Sequence, residues 1–277
     1  MTPPPAAGSG FSVESTAQVL LIGDYQDTLL VAVAAALGER GRHVAWLVPA
    51  EGLDVSVCLA SDRRTGWIRT ASHIVHSDDI CAAFCRVQMP LAGHTDSFAG
   101  SECMAALWAF LSALSCPVLN GPTQHGFYPP SDPLLLLSHD PSSISYSFVE
   151  GVSGASTEAA VSLDLATLQM LGTNADPAQP VRRVAFCDTN VRHILVAGHD
   201  LIDLSQPSSS GADCFANQEE LMQVLNAVGF GFGALVVEAA DDRVQLVHYG
   251  TLWPPGHWFQ HRFKCAVDSI VRYLDRR

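Results

Sequence analysis

The chain has 277 residues, 48% of them apolar and 16% charged, which is enough to bury one large domain or two small ones and too apolar for general disorder. Fifteen basic residues against 28 acidic ones leave a formal charge of −13. That balance argues against a nucleic-acid binder, which needs a basic face to displace phosphate counterions, and against docking to anionic lipid.

The first fifteen positions form an expected flexible tail, because Met1 to Gly10 is rich in Pro, Ala and Gly and has neither the positive charge nor the apolar stretch of a signal peptide. No apolar run reaches the roughly 20 residues that cross a membrane. Eight scattered cysteines without a secretory signal point to reduced thiols and a cytoplasmic location.

Ala17 to Asp24 is a continuous apolar run closed by Gly23-Asp24, as in a strand buried on both faces. Asp27-Thr28 offers an N-cap, Leu29 to Arg40 a helix, and Gly41 its stop. His43 to Val48 is a second strand ended by Pro49. This strand–helix–strand unit is the signature of a crossover in a parallel sheet. Strands are expected at Val55 to Ala60 and Gly66 to Thr70, a helix at Ser101 to Ser115, and a short strand at Pro117 to Asn120. Residues 16 to 122 therefore read as an N-terminal α/β layer.

Positions 123 to 143, rich in Pro, Ser, Gly and His, read as a connector. Residues 144 to 277 form a second unit. Ser145 to Glu150 alternates like a strand, and Gly151 to Ser156 is a glycine- and serine-rich turn. Val191 to Val196 and Asp200 to Leu204 predict a hairpin around Ala197-Gly198-His199. Gln218 to Val228 predicts an amphipathic helix, Phe232 to Glu238 and Val244 to Tyr249 two strands, and Trp258 to Leu274 a closing helix.

Five stretches carry a family likeness in this order: Val19 to Asp24 with the following helix and Trp46-Leu47; Cys116 to Pro122; Val149 to Gly154; Asp188 to Arg192; and Ala227-Val228-Gly229 through Gly233 to Val237 and Asp241 to Gly250. In order and spacing they resemble the ATP-grasp superfamily, in its branch of ribosomal-protein glutamate ligases and small peptide and amino-acid ligases. The resemblance implies an α/β fold. An N-terminal parallel α/β domain would be followed by a shortened C-terminal α+β domain with a largely antiparallel sheet.

Ligases of this superfamily activate a carboxylate as an acyl phosphate, which requires cations on the phosphates and Mg²⁺ bridging them. Set against the family pattern, the nucleotide-facing lysine after valine corresponds to Glu150, which would repel a triphosphate. A second such lysine belongs to a helix whose place is taken by Gln124 to Pro130. The first metal aspartate corresponds to Val236, and the metal Glu-x-Asn to His248-Tyr249-Gly250. Valine and glycine bring no side-chain oxygen to a hard cation. The chain's only lysine is Lys264, but no lost position holds Arg, so a coding preference for arginine does not explain the losses. Arg192 remains, either near a transferring phosphate or as a strand-end arginine paired with a carboxylate such as Glu238.

Several residues offer replacement chemistries. His248 with His257 and His261, four apart on a helix, is a candidate metal set. His73 and His76 with Cys81 and Cys85, the cysteines sharing a helix face, is another. Cys187 beside Asp188, near His193 or His199, is a candidate thiol–imidazole pair. Ser153 is a candidate binding residue in its turn, although Ala155 breaks the nucleophile-elbow pattern. Ser153, Arg192, His248 and His257 form the expected substrate-binding set.

The resulting expectation is a degenerate ATP-grasp-like protein that needs no cofactor. It would act as a homodimer, or as a heterodimer with an active ATP-grasp ligase, with a peptide or amino-acid ligand and no nucleic-acid or membrane partner. Two enzyme alternatives stay open. One is an ATP- and Mg²⁺-dependent carboxylate–amine ligase; the other is a nucleotide-free enzyme using Arg192, His248, His257 or Cys187 in the old cleft.

Overall fold

The computed structural model describes residues 17–49, 54–59, 64–70, 74–87, 97–122, 144–146, 160–164, 170–171, 181–185, 191–204, 218–227, 229–240, 243–250 and 262–276. The first layer is a parallel sheet of β1 (Gln18–Ile22), β2 (His43–Leu47), β6 (Ile80–Cys85) and β7 (Val118–Leu119), in the order β2-β1-β6-β7. Helix α1 (Thr28–Glu39) links β1 to β2. Its Asp27 cap accepts from the amides of Leu29 and Leu30, which satisfies two of the donors that a helix start leaves open.

Three antiparallel strands, β3 (Asp54–Leu59), β4 (Arg64–Arg69) and β5 (Ile74–His76), form a small second sheet. Helix α2 (Ser97–Ala113) lies between it and the parallel sheet. Its Met104, Leu107, Phe110 and Leu111 share one core with Leu20, Ile22, Ala83 and Cys85 of the first sheet and with Ile68 and Val75 of the second. Ile80–Cys85 is a strand, not the helix in which Cys81 and Cys85 would share a face. Neighbours on both sides enclose it, and a six-residue apolar run with both faces buried suits a central strand.

The later chain contributes β8 (Ile144–Tyr146), then the antiparallel trio β9 (Ala160–Asp164), β10 (Met170–Leu171) and β11 (Val181–Ala185), in the order β10-β9-β11. Beyond these lies a five-stranded sheet in the order β13-β12-β14-β15-β8, with β12 (Val191–Ala197), β13 (Asp200–Asp203), β14 (Phe232–Ala240) and β15 (Arg243–Gly250). Its pairs are antiparallel except β15 with β8. The expected hairpin around Gly198 is present. Helix α3 (Gln218–Ala227) covers one face of the sheet through Leu221, Met222, Val224 and Leu225.

The opposite face meets the first layer. Leu195, Ala197 and Phe232 join Val19, Leu21, Leu30, Val33, Phe84 and Leu119 in one core, and helix α4 (Phe263–Leu274) fills it with Ala266, Val267, Ile270, Val271 and Leu274. The rings of Phe84 and Phe232 meet edge-on with centroids 5.4 Å apart. The described helix starts at Phe263, after an Arg262 cap; Trp258, where the sequence pattern starts, lies outside the described residues.

Polar contacts fix the end of α4 to both layers. Asp275 binds the guanidinium of Arg42 and lies 3.5 Å from that of Arg40, both just past α1. Arg272 donates to Asp200 of β13 at 2.7 Å and to Ser269. Burial opposes ionisation of Asp200, yet the hydrogen bonds from Arg272 and Ser269 hold its carboxyl below the usual range. Gly198 sits at φ +67°, and a Cβ there would lie 2.8 Å from the Tyr273 side chain.

Asp275→Ala removes the acceptor from Arg42, whose side chain is only 19% exposed, and should lower stability by about 1 kcal/mol, read from a urea midpoint. Lys264→Ala, which removes only the exposed pair with Asp268, should leave that midpoint unchanged. Gly198→Ala combines left-handed strain with the Tyr273 collision and should cost roughly 2 kcal/mol in the same assay. Burial pushes the Cys85 thiol up to about 12. Iodoacetamide at about pH 8 should therefore label the exposed Cys58 and Cys265 in the folded protein and reach Cys85 only after denaturation, as read by mass spectrometry.

Candidate functional site

The strands that the family pattern assigns to phosphate and metal are β12, β14 and β15. Side chains along a strand alternate between faces, and the pairing register fixes which residues lie together. Val236 of β14 is opposite His193 of β12 on one side and His248 of β15 on the other. Positions 193, 236 and 248 thus form one row across three strands. His193 has the parity of Leu195 and Ala197, which point into the core shared with the first layer. Val236 is fully buried.

Arg192 has the opposite parity. It alternates with Ile194 and Val196, which pack beneath α3, and its register partner is Val237. Its guanidinium lies 3.7 Å from the carboxylate of Asp203, whose side chain is 4% exposed. Asp203 is the β13 partner of Ile194, which puts it on the α3 side. Asp203, across the hairpin, is therefore a carboxylate partner of Arg192, while the side chain of Glu238, the partner expected from sequence, lies outside the described residues. Arg192 and the row through Val236 lie on opposite faces of the sheet.

A second region lies at the carboxyl ends of the parallel strands. Such ends, where neighbouring crossovers diverge, are where open α/β sheets form ligand crevices. Here Asp27 accepts from Arg86 Nε at 2.7 Å, and the Arg86 guanidinium covers the Phe232 ring at 5.3 Å. Trp46 Nε1 donates to the Gly23 carbonyl, and the Tyr25 ring rests against Trp46 at 5.2 Å.

Of the remaining sequence candidates, Ser153, Cys187, His257, His261, His73 and Glu150 lie outside the described residues. His76 is exposed on β5, whereas Cys85 is buried in the α2 core. Burial also pushes the Cys116 thiol up to about 11. No group of three or more His, Cys, Asp or Glu residues able to hold a metal occurs among the described residues.

Asp203 and Asn120 were not singled out from sequence. Asp203 had a faint signal, as a lone acid in the apolar strand Leu201-Ile202-Asp203-Leu204. Asn120 read as the end of a strand and as part of the Cys116 to Pro122 stretch.

No protein-family profile matches the sequence, and neither does any curated protein. Solved structures do. A RiPP-associated ATP-grasp ligase of Chryseobacterium gregarium, in complex with ADP and a leader and core peptide, superposes with a TM-score of 0.61 at 14% identity, over 93% of this chain and 96% of that one. The ATP-grasp ligase PsnB, complexed with a phosphomimetic variant of a minimal precursor, Mg and ADP, gives 0.60 at 13% identity over 92% and 98%. The macrocyclase MdnB from Microcystis aeruginosa gives 0.57 at 14% identity over 94% and 100%. At these identities the likeness is one of architecture, and nearly the whole length of each chain takes part. The protein has the ATP-grasp fold.

Proposed function

We propose that this chain does not hold ATP and Mg²⁺ and acts as a binding or partner subunit in a peptide- or amino-acid-modifying pathway, as a homodimer or beside an active ATP-grasp ligase. The observation that carries this reading is the pairing of Arg192 with the buried Asp203 on the α3 side of the sheet. A phosphate approaching that arginine would also meet the carboxylate, and phosphoryl transfer needs cations free to meet the charge spread over the transferring oxygens.

The donor set supports the same conclusion. A hard divalent cation takes oxygen ligands, and the position corresponding to the first metal aspartate is the buried, apolar Val236. Its register partners bring imidazoles, which suit softer metals. At the described positions 192, 203 and 236, the side chains do not fit an Mg–nucleotide complex.

The pathway is inferred from the company the fold keeps. The structural neighbours include ligases complexed with leader, core or precursor peptides. A chain that keeps their architecture while losing the reactive centre retains surfaces that can hold a peptide or a sister subunit.

Thermal unfolding with and without nucleotide tests the reading. An intact site supplied with ATP–Mg²⁺ at 100 times its dissociation constant would gain about 2.7 kcal/mol, a rise of several degrees in Tm. The expected result is no rise with millimolar ATP and Mg²⁺. A saturable rise would return the chain to the active ligases.

A further inference from the structure

The small sheet ends on a long strand with a neighbour on one side. Among the described residues, β3 pairs only with β4, through six consecutive positions without a bulge. In an antiparallel ladder, facing residues alternate between exchanging both backbone bonds and exchanging none. Gly66 of β4 donates its N–H to Ser77 Oγ at 3.1 Å, on the β5 side and so away from β3. A Cβ on Gly66 would stand 2.5 Å from the Ser56 carbonyl oxygen, which therefore points to β4. Asp54, Ser56 and Cys58 thus carry the bonding pairs. The N–H and C=O groups of Val55 and Val57, opposite Ile68 and Gly66, point to the other edge.

Sheets guard such edges with lysine, proline, a bulge or an inward-pointing charge. The strand Asp54-Val55-Ser56-Val57-Cys58-Leu59 has none of the four. Its single charge, Asp54, stands at the first position, 3.2 Å from Arg69. Val55 and Val57 pack against the α2 core yet stay half-exposed. Val55 also ends a row that crosses the sheet through Ile68 and Val75.

A strand that completes this edge must be about as long, carry β-branched residues on the α2 side, and bring no acid opposite Asp54. β3 itself meets all three conditions. Two copies related by a two-fold axis run antiparallel, and their outward backbone groups meet when the axis passes through Ser56 or Val57. With the axis at Ser56, Val55 faces Val57 of the other copy and Asp54 faces its Cys58. With the axis at Val57, Ser56 faces Cys58 of the other copy. Neither arrangement sets Asp54 against itself, so at this edge the formal charge of −13 does not oppose self-association.

We propose that β3 is the dimer-forming edge of this protein, joining two copies through antiparallel β3–β3 pairing into one six-stranded sheet. This pairing rests on the homodimer form of the reading above and gives it a surface.

Sedimentation equilibrium of the full chain in reducing buffer should show a dimer at micromolar concentration. Val57→Pro removes an N–H that the β4 ladder does not use, in a place where an edge strand accepts proline. It should leave the far-ultraviolet circular dichroism unchanged and raise the dimer dissociation constant at least about tenfold, since each copy loses one bond. The exposed Cys58 residues of the two copies would lie roughly 8 or 14 Å apart for the two axes, from ~3.4 Å per residue and ~4.8 Å between strands. A flexible bismaleimide of that reach should join them, with the Cys58–Cys58 peptide identified by mass spectrometry. A chain that stays monomeric leaves the edge to a different strand and overturns the assignment. So does a folded Val57→Pro dimer of undiminished affinity, or a dimer that yields no Cys58–Cys58 peptide. If Val57→Pro does not fold, the cross-link decides. Stabilisation by ATP–Mg²⁺ overturns the nucleotide reading alone, and a monomer overturns this one.

Discussion

The burial of α4 between two sheets holds this molecule together. Ala266, Val267, Ile270, Val271 and Leu274 lie in a core that takes Val19, Leu21 and Phe84 from the parallel sheet and Leu195, Ala197 and Phe232 from the antiparallel one. Apolar area removed from water is the dominant favourable term in folding, and here one helix removes it from both sheets at once. Polar contacts then set its rotation: Asp275 reaches Arg40 and Arg42 beyond α1, and Arg272 reaches Asp200 on the hairpin. Because β14 enters this core through Phe232, the strand ends around Arg86 and Asn120 are positioned by the same contact.

That core explains how architecture and chemistry can part company. The residues that build the layers are apolar and internal, and they tolerate drift so long as volume and periodicity persist. The residues of a nucleotide site have no such latitude, since each must present a charge or an oxygen at one place. Val236 is fully buried, and Asp203 lies under α3 beside Arg192. Function lives in sites placed on folds, and a site can fade while its scaffold remains.

Much of the scaffold was legible in the sequence. Gly23, Asp27, Gly41 and Gly198 mark turns and caps, and continuous apolar runs mark the buried strands. β6 was missed because Cys81-Ala82-Ala83-Phe84-Cys85 offers apolar residues at both helical and strand spacing. The apolar pattern of the closing helix runs back to Trp258 and Phe259, which lie outside the described residues; the described helix begins after the Arg262 turn. The site was less legible. Sheet parity separates Arg192 from Val236, and parity depends on a register set by strands far apart in sequence. The salt bridge to Asp203 depends on the hairpin fold-back, and the buried Asn120 Oδ1 without a hydrogen-bond partner is a property of what surrounds it, which no local pattern encodes.

The position of α4 also bears on how the protein is made. The face of the first sheet formed by Val19, Leu21 and Phe84 has its cover encoded at residues 263–274. During synthesis that surface emerges early and waits for nearly the whole remaining chain. Pairing so distant in sequence folds slowly and leaves sticky surface exposed meanwhile. Until residues 263–274 are made, that face has only α1 of its described cover, through Leu29, Leu30, Val33 and Leu37.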